Sequence, residues 1–194
     1  MLFSTKACEY GGNVVPLRAA QLVPIQAQLG LAAPPPGAPA PLPVPYIKQE
    51  QTNWCWAACC EMVFDFNGVT NIGQCDMATA QFGGNCCAAP SSSVCNQGNW
   101  PENVYPRYAF RCNRTNAAFS AAAVQAEINA SRPVEVYYAW TGGGAHVALI
   151  IGYYDNGDLD VNDPWYGPGR RTDAFVRSAY NLGAWTITYS NLGK

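Results

Sequence analysis

The sequence predicts an α+β domain in which helices come first and an antiparallel sheet follows. Three observations predict it. The run "CWAACCEMVFDF", 55–66, is rich in alanine and small sulfur residues and holds no Gly or Pro, as a buried helix of about three turns requires. After Pro133 the pattern changes to short β-branched and aromatic runs bounded by Gly, Asn and Asp. At 194 residues the chain fits one sizeable core, whereas two compact domains would be cramped.

Taken in order, residues 1–30 are mixed and weakly patterned. "LAAPPPGAPAPLPVP", 31–45, carries seven prolines, which remove amide donors and fix φ, so it favours an extended chain over a central strand or helix. We place a leader, propeptide or surface strap at 1–43, able to contact the domain, and the compact domain at 44–194, starting near Val44. The helix over 55–66 stops at Asn67-Gly68. Residues 71–100 read as loop and carry Cys75, Cys86, Cys87 and Cys95. A second helix is predicted over 116–130, ended by Ser131-Arg132-Pro133. Strands are predicted at 133–140, 146–154, 158–163 and 185–190, with "YYDNGD" as the hairpin turn between the second and third. There is no internal repeat.

Charge narrows the function classes. Charged residues are 12% of the chain and the formal net charge is −2, with no Lys/Arg cluster to track a phosphate backbone, so nucleic acid is not an expected partner. No apolar run is long enough to span a bilayer. Nine cysteines are many for a reducing compartment and suggest a secreted or periplasmic setting. The N-terminus lacks the basic start and long apolar core of a secretion signal, so export implies a signal already removed or another route.

Four residues suggest covalent chemistry. His146, the only histidine, follows "TGGGA" at the entry to an apolar strand, where glycines 142–144 allow close approach to the backbone. The next strand ends in "VNDPW", so Asp163 can return beside His146 and fix its tautomer. Cys55 opens the first helix, where free amides and the helix dipole favour the thiolate. Gln49, six residues upstream, is placed to join the Cys55 amide in holding an oxyanion. Each of these also has a plain structural reading: a core histidine, a half-cystine, an ordinary polar glutamine.

"Q49-E-Q-T-N-W-C55-W-A-A", "GGGAH146VALIIGY" and "VND163PW" together resemble the papain-like cysteine peptidases, in particular a small bacterial branch similar to the C39 and C70 peptidases. The likeness covers about residues 44–190. It implies a two-lobe fold, a nucleophile-helix lobe against an antiparallel β lobe, with a substrate groove between them. It also implies Cys55 as nucleophile, His146 as base, Gln49 in the oxyanion hole and a peptide or protein as substrate. Papain carries Asn as third member and the C39-like branch Asp before Pro; Asn162 and Asp163 face opposite ways on a strand, and "DPW" favours Asp163. The expected activity is hydrolysis of a peptide bond through a Cys-His-Asp triad and an acyl-enzyme. The alternatives are an amidase, deamidase or transglutaminase-like acyl transferase with the same triad, and a non-catalytic disulfide-rich binding domain, which a bridged Cys55 would favour. No cofactor or metal is indicated.

The other cysteines fit disulfides better than zinc, because Cys75, Cys86, Cys87 and Cys95 lack a C-x₂₋₄-C knuckle. Two bridges within 75–95 are expected, with Cys86 and Cys87 going to different partners. Cys8, Cys59, Cys60 and Cys112 are expected to supply two more, leaving Cys55 as the free thiol. Trp165, just after Asp163, is expected to shield the His146–Asp163 bond from water.

Overall fold

The computed structural model describes residues 39–194. Helix α1 (Cys55–Phe66) keeps the predicted bounds and is buried on nearly every side, as its single glutamate and single aspartate allow. It ends at Asn67, and Gly68 takes φ 78°, a left-handed turn that releases the chain. A second helix, α2 (Gln74–Phe82), occupies part of the stretch read as loop. Its start is held by the Gly73 N–H donating to the Asp76 carboxylate at 3.0 Å. Only Gln74, Met77 and Ala78 are buried on it, too few positions to write a helical period into the sequence.

Two disulfides, Cys75–Cys87 and Cys86–Cys95, tie α2 to the loop after it, and the adjacent cysteines diverge to separate partners. The further bridges expected for Cys59, Cys60 and Cys112 are not formed: all three are free thiols. Cys59 and Cys60 are core residues of α1, and the Cys59 thiol donates to the Val147 carbonyl at 3.6 Å. They pack as small apolar groups instead.

Six strands form one sheet in the order β1-β6-β2-β3-β4-β5, every neighbouring pair antiparallel. They are β1 (Arg111–Thr115), β2 (Val134–Trp140), β3 (Ala145–Tyr153), β4 (Leu159–Asp163), β5 (Gly167–Arg171) and β6 (Gly183–Gly193). β1 precedes α3 (Ala121–Asn129), so helices and strands are not cleanly segregated along the chain. α3 starts later than the alanine-rich run suggests because Ser120 caps it, accepting from the Ala123 N–H at 3.2 Å. A short α4 (Asp173–Arg177) follows β5.

Strand alternation divides the core between the two sheet faces. Tyr137, Val147, Leu149 and Ile187 pack with α1 and α2, whereas Val136, Tyr138, Ala148, Ile150 and Val161 pack with α3 and α4. The architecture is α+β. The proline-rich stretch docks onto the sheet slightly before Val44: the Leu42 N–H donates to Ile151 O at 2.8 Å. Pro41 lies so close to Gly152 that a Cβ there would meet it at 3.1 Å. Asn162 Nδ2 donates to Val44 O at 3.1 Å and completes the attachment. The expected leader lies mostly outside the described residues, Cys8 included. Among the described residues, no helix is long and apolar enough to cross a membrane.

Candidate active site

β3 and β4 pair antiparallel, which brings the second residue of β3 beside the last residue of β4. His146 Nε2 donates to Asp163 Oδ1 at 2.9 Å, and both side chains are essentially removed from solvent. Nδ1 of His146 has no hydrogen-bond partner among the described residues. One ring nitrogen is therefore fixed and the other bare, the state in which an imidazole can take or give a proton at Nδ1.

Asp163 is held on every side. Its Oδ1 also accepts from the Trp165 and Tyr166 backbone N–H groups, both at 2.8 Å, in the turn that Pro164 opens. Its Oδ2 accepts from the Tyr180 hydroxyl at 2.8 Å. Burial opposes ionisation, but His146, its hydrogen bond, the nearby Arg171 charge and the Tyr166 N–H outweigh it. Together they hold the carboxyl below the usual range. Arg171 is itself buried, donating to Gly169 O and Gly167 O at 2.7 Å, and its guanidinium lies 5.6 Å from the Tyr180 ring centre. Asn162 faces away, toward Val44.

Aromatic rings enclose the imidazole. Trp140 stacks on it at 6.0 Å and Tyr138 at 6.3 Å, with Tyr166 edge-on at 5.8 Å. The expected shield, Trp165, contributes its backbone N–H instead, and no ring contact joins it to His146 among the described residues. Tyr180 reaches Asp163 from a run of three left-handed residues, Ala179, Tyr180 and Asn181, at φ 46°, 61° and 64°. Holding non-glycine residues there is costly, which fixes the hydroxyl's approach. Neither Tyr180 nor Arg171 was flagged by the sequence; the unusual "SAYNLG" turn is the only local hint.

Cys55 is the first residue of α1, fully buried, after an N-cap at Trp54 that makes no side-chain capping bond. No acidic side chain neutralises the first turn. It is not the free thiol expected: Cys55 is half of a disulfide. An odd count shows that at least one thiol is left over; it does not show how many or which, and here Cys59, Cys60 and Cys112 are the free ones among the described residues.

Gln49 is buried, and its backbone N–H donates to Pro164 O at 3.1 Å, tying the loop before α1 to the turn after Asp163. Its side-chain Nε2 donates to Gln51 O at 2.7 Å and Thr52 O at 3.0 Å. As oriented, that amide shapes the 49–54 loop, and it must exchange one of these carbonyls to meet an oxyanion. The structure thus joins His146 to Asp163 and ties the Gln49 backbone to Pro164, the residue after Asp163, while the Cys55 sulfur is in a disulfide.

Residues 41–191 match the Peptidase_C39 like family. The chain belongs to that family. Among solved structures, the peptidase domain of Streptococcus ComA, a bi-functional ABC transporter involved in a quorum sensing pathway, shares the fold. Its TM-score is 0.55 at 15% identity, over 77% of this chain and 98% of that one. A double glycine motif protease from an AMS/PCAT transporter, in complex with the leader peptide, scores 0.47 at 13% identity, over 78% and 94%. The Pseudomonas avirulence protein AvrPphB scores 0.32 at 10% identity, over 71% and 89%. Both are too remote to add to the first. No curated protein sequence matches the chain. Family and fold make this C39-like chain a cysteine peptidase in type, with a papain-like α+β architecture.

Proposed function

We propose that this chain hydrolyses peptide bonds with Cys55 as nucleophile, His146 as acid and base, and Asp163 as the group that orients the ring. The observation that carries the reading is the buried His146–Asp163 pair, with Nε2 bound at 2.9 Å and Nδ1 left bare. A pair so placed has no evident packing purpose, and five hydrogen-bonding and charged neighbours are committed to Asp163 alone. The chemistry starts with Cys55 as a thiol, so its disulfide must open first. Two equivalents of an external thiol, or one dithiol, are oxidised to a disulfide while both protein sulfurs become thiols. His146 Nδ1 then takes the Cys55 proton, and the thiolate attacks the substrate carbonyl. The tetrahedral intermediate expels the amine as His146 returns the proton to its nitrogen. Water, giving its proton to Nδ1, attacks the thioester and releases the acid and the Cys55 thiol. Two disulfides support a secreted or periplasmic setting.

One observation favours a second reading, a disulfide-rich binding domain without turnover: Cys55 is bridged. Hydrolysis of fluorogenic peptides separates the two. The oxidised protein is expected to be silent. Activity should appear when a mild thiol frees Cys55 while peptide mapping still finds Cys75–Cys87 and Cys86–Cys95 intact, and Cys55→Ala should stay silent throughout. No hydrolysis of any peptide once Cys55 is a verified thiol would leave the binding domain standing.

A further inference from the structure

The disulfide-stapled loop after α2 has no part in the mechanism above, yet it grips the three residues before Cys55 and one after. The Asn53 N–H donates to Asn96 Oδ1 at 3.0 Å, and Asn53 Nδ2 donates to Asn96 O at 2.9 Å. Asn96 Nδ2 donates to Thr52 Oγ1 at 2.8 Å. The indole N–H groups follow suit, Trp54 to Cys95 O at 2.8 Å and Trp56 to Gln97 O at 3.0 Å. Asn96 is fixed in turn, its own N–H donating to Ser92 O at 2.8 Å, and the preceding residue is locked by the Cys86–Cys95 bridge. From the other side Gln49 Nε2 holds the Gln51 and Thr52 carbonyls. Residues 51–53 are thus clamped between Gln49 and Asn96, and Trp54 is held by Cys95.

We propose that Asn96 is a positioning residue for acylation: its reciprocal amide pair with Asn53 and its bond to Thr52 fix the backbone that delivers the Cys55 N–H to the developing oxyanion. The inference rests on reading Cys55 as the nucleophile. Asn96 is only half-buried and bonds to polar groups, so its contribution to the apolar core is small. What it does fix is the path of the chain into α1. A misplacement of an oxyanion donor by a fraction of an ångström weakens bonds made chiefly in the transition state, which lowers kcat more than it raises KM.

The test uses the full chain with Cys55 freed and both stapling disulfides confirmed. Asn96→Ala is expected to lower kcat by roughly 10–100-fold with KM within about threefold of wild type. Alkylation of Cys55 by iodoacetamide, which needs the thiolate but no oxyanion donor, should keep its rate. Asn96→Asp retains an acceptor for the Asn53 N–H, and its second oxygen can accept from the Thr52 hydroxyl. It should restore most of kcat. Wild-type kcat in Asn96→Ala would overturn the proposal. So would a loss of kcat matched by an equal loss of alkylation rate and a lowered Tm, the mark of general loosening. Should wild-type turnover survive complete alkylation of Cys55, the nucleophile assignment itself fails, and the inference with it.

Discussion

Two carboxylates are buried in the same sheet, on opposite faces, and their fates differ. Asp163 has its carboxyl ringed by the His146 ring, two backbone N–H groups and the Tyr180 hydroxyl, with Arg171 nearby. Glu135, just as completely buried on β2, receives one hydrogen bond, from the Tyr105 hydroxyl at 2.9 Å. Its Oε1 has no partner among the described residues, and its surroundings include the thiols of Cys60 and Cys112. Asp163 is held below the usual carboxylate range, while burial pushes Glu135 up to about 8. Burial alone therefore does not decide charge; the number of donors and the presence of a cation do. One group is kept as an anion against the His146 ring. The other is kept as a neutral acid within the core.

The largest effect should come from removing the charge on the first of the pair. Asp163→Asn keeps the shape and an acceptor for the ring, and the acylation rate is expected to fall on the order of 10²–10⁴-fold, by analogy with other triads. Asn162→Ala, which loses only the bond to Val44, should leave the rate within a few-fold. The reverse ranking would assign the orienting role to Asn162.

Next, Tyr180→Phe deletes one of the donors that separate Asp163 from Glu135. Its folded-state pKa, depressed in wild type, should rise, so activity should fail at higher pH: the acid limb of the kcat/KM profile moves up by roughly one unit. An unmoved acid limb would show that the remaining donors suffice.

The smallest effect on rate, and the clearest on stability, belongs to Glu135→Gln. Because the folded pKa of Glu135 is raised, its stability contribution is complete below the unfolded value near 4.5 and is lost as pH climbs toward about 8. The variant should remove that decline, gaining on the order of 1–2 kcal/mol at pH 7 after the cost of an unpaired amide, with no gain at pH 4. Turnover should not change. A pH-independent difference in denaturant midpoint would mean that Glu135 does not titrate in this window.

The sequence disclosed most of what is buried and little of what is paired. α1 and strands β2, β3 and β4 were legible because apolar residues recur on their buried faces. β1, "RCNRT", and β5, "GPGRR", lie at the two sheet edges and are built from polar residues, Gly and Pro, so no apolar alternation marks them. The approach of Asp163 to His146 could be argued from a hairpin one turn long. Tyr180 and Arg171 could not, since each reaches the site through a chain reversal whose geometry no local pattern specifies. The cysteines were hardest: counting them suggested the stapled loop but left Cys55 free and Cys59, Cys60 and Cys112 bridged, the opposite of what is found.

The overlap of the two bridges has a consequence for what a proteolytic cut in this loop can do. Cys75–Cys87 spans the chain to one side of the Cys86-Cys87 pair and Cys86–Cys95 spans it to the other, with the spans crossing at that pair. A single cut anywhere between residues 75 and 95 leaves at least one bridge joining the two pieces. A nicked molecule should therefore run as one band until it is reduced, and then as two. The exposed loop that bears Val94 can be severed without releasing the segment carrying Asn96 from the segment carrying Cys55.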